Sequence, residues 1–270
     1  GPNGSGKTNF LEAISLLMPG KGLRSSKKEY FPFIENHDQS INNDWAIHYT
    51  LKRGENIHAI STGVHSLTTD TKSSRRFKFD GNFLKSKDIS QLISMNWLTP
   101  TMHNIINGSE SLRRNFFDRM ISALNPSHKN RLNKLEKLSR ERTRLLEKNI
   151  KDESWFSIIE KEISQLSIAI IVERQNFTAK LDTFMANPNS SFFPKVRIIW
   201  SGMVEEWLNG KPAIYAEEKM GVYLKKERLD QSFRICGPSH SALKIWFGDF
   251  GKPSELCSTG QQKSILVSII

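Results

Sequence analysis

The sequence predicts an α/β fold in which one sheet-bearing lobe is interrupted by a block of long helices. Three observations carry this: strand-and-turn grammar over roughly the first hundred residues, helical periodicity from about Arg113 to Met185, and a return of short β-rich runs beyond Asn187-Pro188-Asn189-Ser190-Ser191. The expected division is therefore 1–112, 113–186 and 187–270, the first and last belonging to one lobe. At 270 residues the chain is long enough to bury a core without staples. Its two cysteines, Cys236 and Cys257, make no disulfide framework, which excludes a small secreted scaffold and favours a reducing cytoplasm. No apolar run approaches the roughly 18 residues of a membrane span and no charged-then-apolar leader opens the chain, so a soluble, cytoplasmic protein without a membrane partner is expected.

The elements follow in order. Phe10, Leu11, Ile14, Leu17 and Met18 recur at helical spacing until Pro19-Gly20 closes the helix, and a basic loop runs from Lys21 to Lys28. Residues 45–51, 57–61 and 75–80 read as strands separated by Gly, Asn and Ser. Leu92-Ile93-Ser94-Met95-Asn96-Trp97-Leu98 reads as another strand ended by Pro100, although so short an apolar run is also compatible with a helix. Leu132, Leu135, Leu138, Leu145 and Leu146 then mark one helix, and Trp155, Ile159, Ile163, Leu166, Ile170, Phe177 and Leu181 a second. Residues 196–200, 233–236 and 243–247 are β-like, and 263–270 is an apolar-rich run with no stop signal.

Lys and Arg number 39 against 28 Asp and Glu, a formal charge of +11. Such a surplus favours a polyanionic partner, nucleic acid or an anionic membrane surface, while solubility alone is the plainer reading. Residues 121–150 hold eight Lys and Arg against three Glu. Lys129, Arg131, Lys134, Lys137, Arg140 and Arg144 are thus either a solvated outer face or a track for DNA phosphates.

Gly1-Pro2-Asn3-Gly4-Ser5-Gly6-Lys7-Thr8 satisfies G-x-x-x-x-G-K-[ST] at every fixed position and feeds straight into an amphipathic helix. Glycines let backbone N–H groups converge on phosphate oxygens, and the helix aims its positive end at the same anion. Lys7 is placed to reach β- and γ-phosphates and Thr8 to offer its hydroxyl to Mg²⁺, which names ATP and Mg²⁺ as the expected cofactors. A phosphate loop normally follows a buried strand, and none precedes Gly1, so a fragment cut at both ends is expected.

The string GPNGSGKTN followed by Phe10-Leu11-Glu12-Ala13-Ile14 resembles the phosphate loop of the RecF family, ABC-type ATPases of bacterial recombinational repair. Trp97-Leu98-Thr99-Pro100, Gly108 and Arg113-Arg114-Asn115-Phe116-Phe117-Asp118 are similar to a second stretch of that family, and Gly237-Pro238 to a third. Cys257-Ser258-Thr259-Gly260-Gln261-Gln262-Lys263 looks like its ABC signature. The resemblance implies a P-loop ABC-type ATPase head interrupted by a short antiparallel helical arm. It implies that Ser258, Gly260 and Gln261 touch the ATP of a second copy, giving an ATP-dependent homodimer. By the same resemblance the full-length protein is a slow, DNA-stimulated ATPase that binds single-stranded or gapped DNA in the SOS response and works with RecO and RecR to load RecA.

Some positions depart from the family pattern. Thr101 stands where many members have Gln or Glu, Cys257 replaces the usual Leu, and Gly237-Pro238-Ser239-His240 lacks the family's basic residue. The resemblance also puts the Walker B strand beyond Ile270, so no general base is assigned. An alternative is a chromosome-organising ATPase of the SMC or RecN kind, but the helical insertion of about 70 residues lacks a sustained heptad repeat. A transporter-type ABC domain is a third reading; it requires a membrane subunit and a shorter spacing between loop and signature.

Overall fold

A computed structural model describes residues 2, 5–24, 44–64, 75–99, 102, 104–186, 194–230, 236–248 and 251–270. Gly1, Asn3, Gly4, Pro100, Thr101, the 187–191 linker, residues 233–235 and the 25–28 part of the basic loop lie outside the described residues. The chain forms two compact units, Gly1–Trp97 and Leu98–Ile270. The division therefore falls before residues 98–112, because Met102, Ile105 and Ile106 pack into the core of the second unit.

In the first unit, helix α1 (Lys7–Ser15) is followed by strands β1 (Trp45–Arg53), β2 (Asn56–Val64), β3 (Arg76–Phe79) and β4 (Asn82–Leu84). The strands form an antiparallel sheet in sequence order. Asp80 and Gly81 both have positive φ, 47° and 82°, the backbone that a two-residue hairpin between β3 and β4 requires. Ile60, Val64 and Phe77 are buried on this sheet, as is Ile89 of α2 (Ser86–Leu92). Arg75 ties the sheet to the turn after α1: its guanidinium donates to the carbonyls of Met18 and Gly20 and lies 4.7 Å from the centroid of Phe77.

The strand expected over Leu92–Leu98 is not there. Leu92 closes α2, and residues 93–99 take no regular structure. No ladder partner reaches them among the described residues, and β propensity without a partner does not make a strand.

The second unit begins with α3 (Asn104–Asn107), α4 (Glu110–Leu124), α5 (Pro126–Glu147) and α6 (Glu153–Met185). Each long helix is started by its own sequence. Ser109 accepts the Leu112 N–H, Asn125 that of Ser127 ahead of Pro126, and Asp152 that of Trp155. Helices α5 and α6 are antiparallel: Arg142 pairs with Glu160 near their turn, while His128 and Arg174 meet on Asp118 at the far end. No helix among the described residues is long and apolar enough to cross a membrane.

Beyond the arm come β5 (Val196–Ser201), α7 (Met203–Leu208), α8 (Ala213–Leu229), β6 (Ala242–Phe247), β7 (Lys252–Pro253) and α9 (Thr259–Ile269). The three strands form an antiparallel sheet. Val196, Ile198 and Trp200 alternate inward and pack with Leu243 and Ile245 against Phe116, Phe117, Ile265 and Ile269. A second core joins the arm to α7 and α8 through Phe156, Ile159, Ile163, Trp207 and Met220. Helix α8 is absent from the sequence expectation. Ala216, Met220 and Leu224 give it only a narrow buried stripe, and Ile214, Val222 and Leu229 are exposed.

Candidate functional site

At the start of α1, Gly6 has φ 77°, so the chain turns into the helix through a left-handed residue where a side chain would be strained. No side chain caps this end, leaving backbone donors of the first turn facing outward. Ser5, Lys7 and Thr8 are exposed there. The Lys7 ammonium donates to the Pro2 carbonyl at 3.0 Å, folding back over the loop. One turn on, buried Glu12 accepts the Arg24 N–H at 2.8 Å, and Arg24 in turn donates to Asn9 at 3.2 Å. Gly22, at φ +74°, lets that segment lie against Glu12; a Cβ there meets the Glu12 carboxylate at 2.8 Å. The donors fit a phosphate chain, and the Thr8 hydroxyl fits a divalent cation beside it.

At the start of α9, Ser258 accepts the Gln261 N–H at 3.3 Å and Gln261 accepts the Ser258 N–H at 3.0 Å, a reciprocal cap. Ser258 and Gly260 are exposed and Gln261 half-buried. The following Gln262 is buried and faces inward, exchanging hydrogen bonds with Asn107 at 3.2 and 3.0 Å and donating to the Ser254 carbonyl at 3.2 Å. Cys257 is buried, with its thiol pushed up by burial, and Cys236 is pushed up to about 12 for the same reason. Burial thus disfavours the thiolate, the reactive form, at both.

The Arg113-Arg114 pair serves the fold. Arg113 donates to the carbonyls of Ile106 and Gly108 at 2.9 and 3.0 Å and lies 4.0 Å from Glu255. Arg114 donates to Ser241 O at 2.8 Å. Asp118 accepts both arms of Arg174 at 2.9 and 2.7 Å and a 2.8 Å hydrogen bond from His128, while Arg174 also reaches the Pro238 carbonyl at 2.7 Å. Burial pushes the Asp118 carboxyl up, but His128 and Arg174 outweigh it and hold the group below the ordinary carboxylate range. The second and third motifs are thus joined through a residue that the sequence reading did not single out. His240, in the short 3-10 turn Pro238–His240, is exposed.

Along α5, Lys129, Lys137, Arg140 and Arg144 are exposed and fall within a sector of about 100° at the helical period. Arg140 pairs with Glu136, and Lys134 with Glu162. Arg131 is half-buried and lies outside that sector. Arg142, one of the eight basic residues counted in this region, is buried and belongs to the arm's interior. It pairs with Glu160 and Glu227 at 3.0 Å each, and Arg228 joins Glu160 at 3.2 Å.

Residues 1–187 match a family profile described as an AAA domain, which sets the chain in the class of P-loop nucleotide-binding ATPases. The chain belongs to the RecF family. It is 34% identical over 275 residues to the DNA replication and repair protein RecF of Mesorhizobium japonicum, covering 100% of this chain and 71% of that relative. The RecF of Rhizobium rhizogenes is 32% identical with the same coverage. Among solved structures, the recombination mediator protein RecF-ATPrS in the RecFOR pathway matches with a TM-score of 0.77 at 23% identity, over 100% of this chain and 71% of that one. RecF-ATP of the same pathway matches with a TM-score of 0.74 at 25% identity, over 99% and 70%. The fold is accordingly the ABC-type ATPase head with its helical arm. The arm's 22-residue and 33-residue helices make a short hairpin, unlike the long coiled coil of the SMC alternative.

Proposed function

We propose that this chain binds ATP at the α1 end, that the nucleotide joins two copies by meeting the α9 end of the second, and that the pair holds DNA during recombinational repair. The observation that carries this reading is the uncapped, left-handed entry into α1 at Gly6 with Lys7 and Thr8 exposed beside it. Lys7 exchanges the Pro2 carbonyl for phosphate oxygens, and the backbone N–H groups of the loop, to which Pro2 contributes none, donate to the same anion. Thr8 holds Mg²⁺, which when bound neutralises charge on the β- and γ-phosphates. Ser258, Gly260 and Gln261 of one copy face the nucleotide of the other, with the start of α9 favouring the γ-phosphate.

On this reading the 113–186 segment faces DNA, and the segments before and after it carry the ATPase chemistry. The face of α5 bearing Lys129, Lys137, Arg140 and Arg144 supplies phosphate contacts. Single-stranded or gapped duplex DNA is the substrate, in the cytoplasm. The RecFOR context of the structural neighbours supports RecO and RecR as partners and the loading of RecA as the outcome.

The test uses the full-length gene product and Lys7→Ala. Removing a hydrogen bond to a charged group predicts roughly a 10- to 100-fold loss of ATP affinity, with ATP-dependent pairing and gapped-DNA binding lost together. DNA affinity of the unaltered protein falls with salt by a log–log slope of about −0.9 per phosphate contacted. Unchanged pairing and DNA binding in Lys7→Ala, or an affinity indifferent to salt, overturns the reading.

A further inference from the structure

One residue past the exposed turn that carries Ser258, Gly260 and Gln261, the buried amide of Gln262 pairs with that of Asn107, which lies at the exposed end of α3. Each side chain both donates to and accepts from the other, and Gln262 also binds the Ser254 carbonyl. Two parallel hydrogen bonds between planar amides fix orientation as well as distance. The apolar contacts of Ile265, Leu266 and Ile269 further along α9 carry no such directional preference.

The Asn107 side of this pair is itself held. Arg113 grips the carbonyls on either side of Asn107, those of Ile106 and Gly108, and reaches toward Glu255 beside Ser254. The backbone that presents Asn107 and the backbone that leads into Ser258 are therefore closed into one ring. A contact that needed only stability could be made here by two apolar side chains, since replacing both members of a hydrogen-bonded pair is often nearly neutral. A paired amide with one buried member instead selects one arrangement of the groups it joins.

We propose that Asn107 and Gln262 are positioning residues. They fix the rotation and depth of the first turn of α9, so that Ser258 and the neighbouring N–H groups are oriented to meet a nucleotide held by a second copy. The inference rests on the reading of α9 as a contact in trans. It adds that the second sequence motif, through Gly108 and Arg113, is the mounting of the signature turn.

The experiment compares the full-length protein with Asn107→Leu, Gln262→Leu, the double Leu variant, and the exchange Asn107→Gln with Gln262→Asn. Three quantities are read: self-association with adenosine 5′-thiotriphosphate by sedimentation, nucleotide affinity at concentrations where the protein is monomeric, and the melting temperature. The double Leu variant leaves no orphaned amide, so its melting temperature stays close to that of the unaltered protein. Its association weakens by about tenfold or more, while monomer affinity changes by less than about twofold. The exchange variant recovers most of the association.

Association of the double variant at the unaltered strength overturns the inference. So does a parallel fall of association, monomer affinity and melting temperature that the exchange does not repair, since that pattern marks a merely structural pair. Failure of the unaltered protein to associate with nucleotide overturns the trans-contact reading, and the positioning role with it.

Discussion

The starts of α1 and α9 meet the same problem, orphaned backbone donors, in opposite ways. Helix α1 enters through a left-handed glycine and leaves those donors without a side-chain partner, whereas α9 closes them with the reciprocal Ser258–Gln261 cap. A cap of this kind stabilises a helix by about 1 kcal/mol before any ligand arrives. An uncapped end forgoes that contribution and presents the full positive end of the helix to an anion. On the proposed reading the first end would be completed by its ligand, whereas the second is already closed in the folded chain.

The largest expected effect lies in the unit that carries α9, away from both helix starts. Arg174→Leu leaves Asp118 charged, buried and short of its main partner, and breaking such a pair costs roughly 3–5 kcal/mol. Thermal or urea unfolding should show the loss in the second unit, which carries α9. A normal unfolding curve would mean that Asp118 is held by His128 alone.

The same group can be tuned with acid. Its carboxyl is depressed in the folded chain, so its contribution to stability is present in full above the ordinary carboxylate value of about 3.9 and is lost as pH falls through the lower folded value. Asp118→Asn should therefore flatten the acid limb of a stability-against-pH curve, measured by denaturant midpoints between pH 6 and 2. An unchanged limb assigns acid sensitivity to other carboxylates, of which Glu153, held down to about 2 by Arg228 and Lys225, is one.

The smallest effect separates the two ends directly. Ser258→Ala removes a cap and should lower stability by about 1 kcal/mol without nucleotide, read as a shifted denaturant midpoint. Lys7→Ala should shift that midpoint less, because the hydrogen bond that Lys7 gives the Pro2 carbonyl is exposed to water and contributes little. Equal shifts in both variants would erase the distinction.

These contrasts also explain what could be read in advance. The loop at Gly6-Lys7-Thr8 was legible because its chemistry is contiguous: turn, cation, hydroxyl and helix start lie within a few residues. The α5–α6 arm was legible from periodicity, and β1, β2, β3, β5 and β6 from alternation. Helix α8 was not, since its buried stripe is a single row and its other apolar residues face out. Leu92–Leu98 misled because an apolar run signals burial before it signals a strand. The Asp118–Arg174, Arg142–Glu160 and Asn107–Gln262 pairs join residues 56, 18 and 155 positions apart. Local spacing carries no trace of such partners, and nothing in the 121–150 run marks Arg142 as the buried member among its eight basic residues.

The sulfur chemistry has a practical side. The chain has two cysteines, and burial raises both thiols, Cys236 to about 12. Since only the thiolate attacks maleimides and haloacetamides, both should react more slowly with these reagents at neutral pH than an exposed cysteine does while the fold is intact. A cysteine introduced at exposed Lys137 would then carry a fluorophore on the arm with the natural sulfurs left in place. Any label that later appears on Cys236 or Cys257 becomes a clock for opening of the second unit.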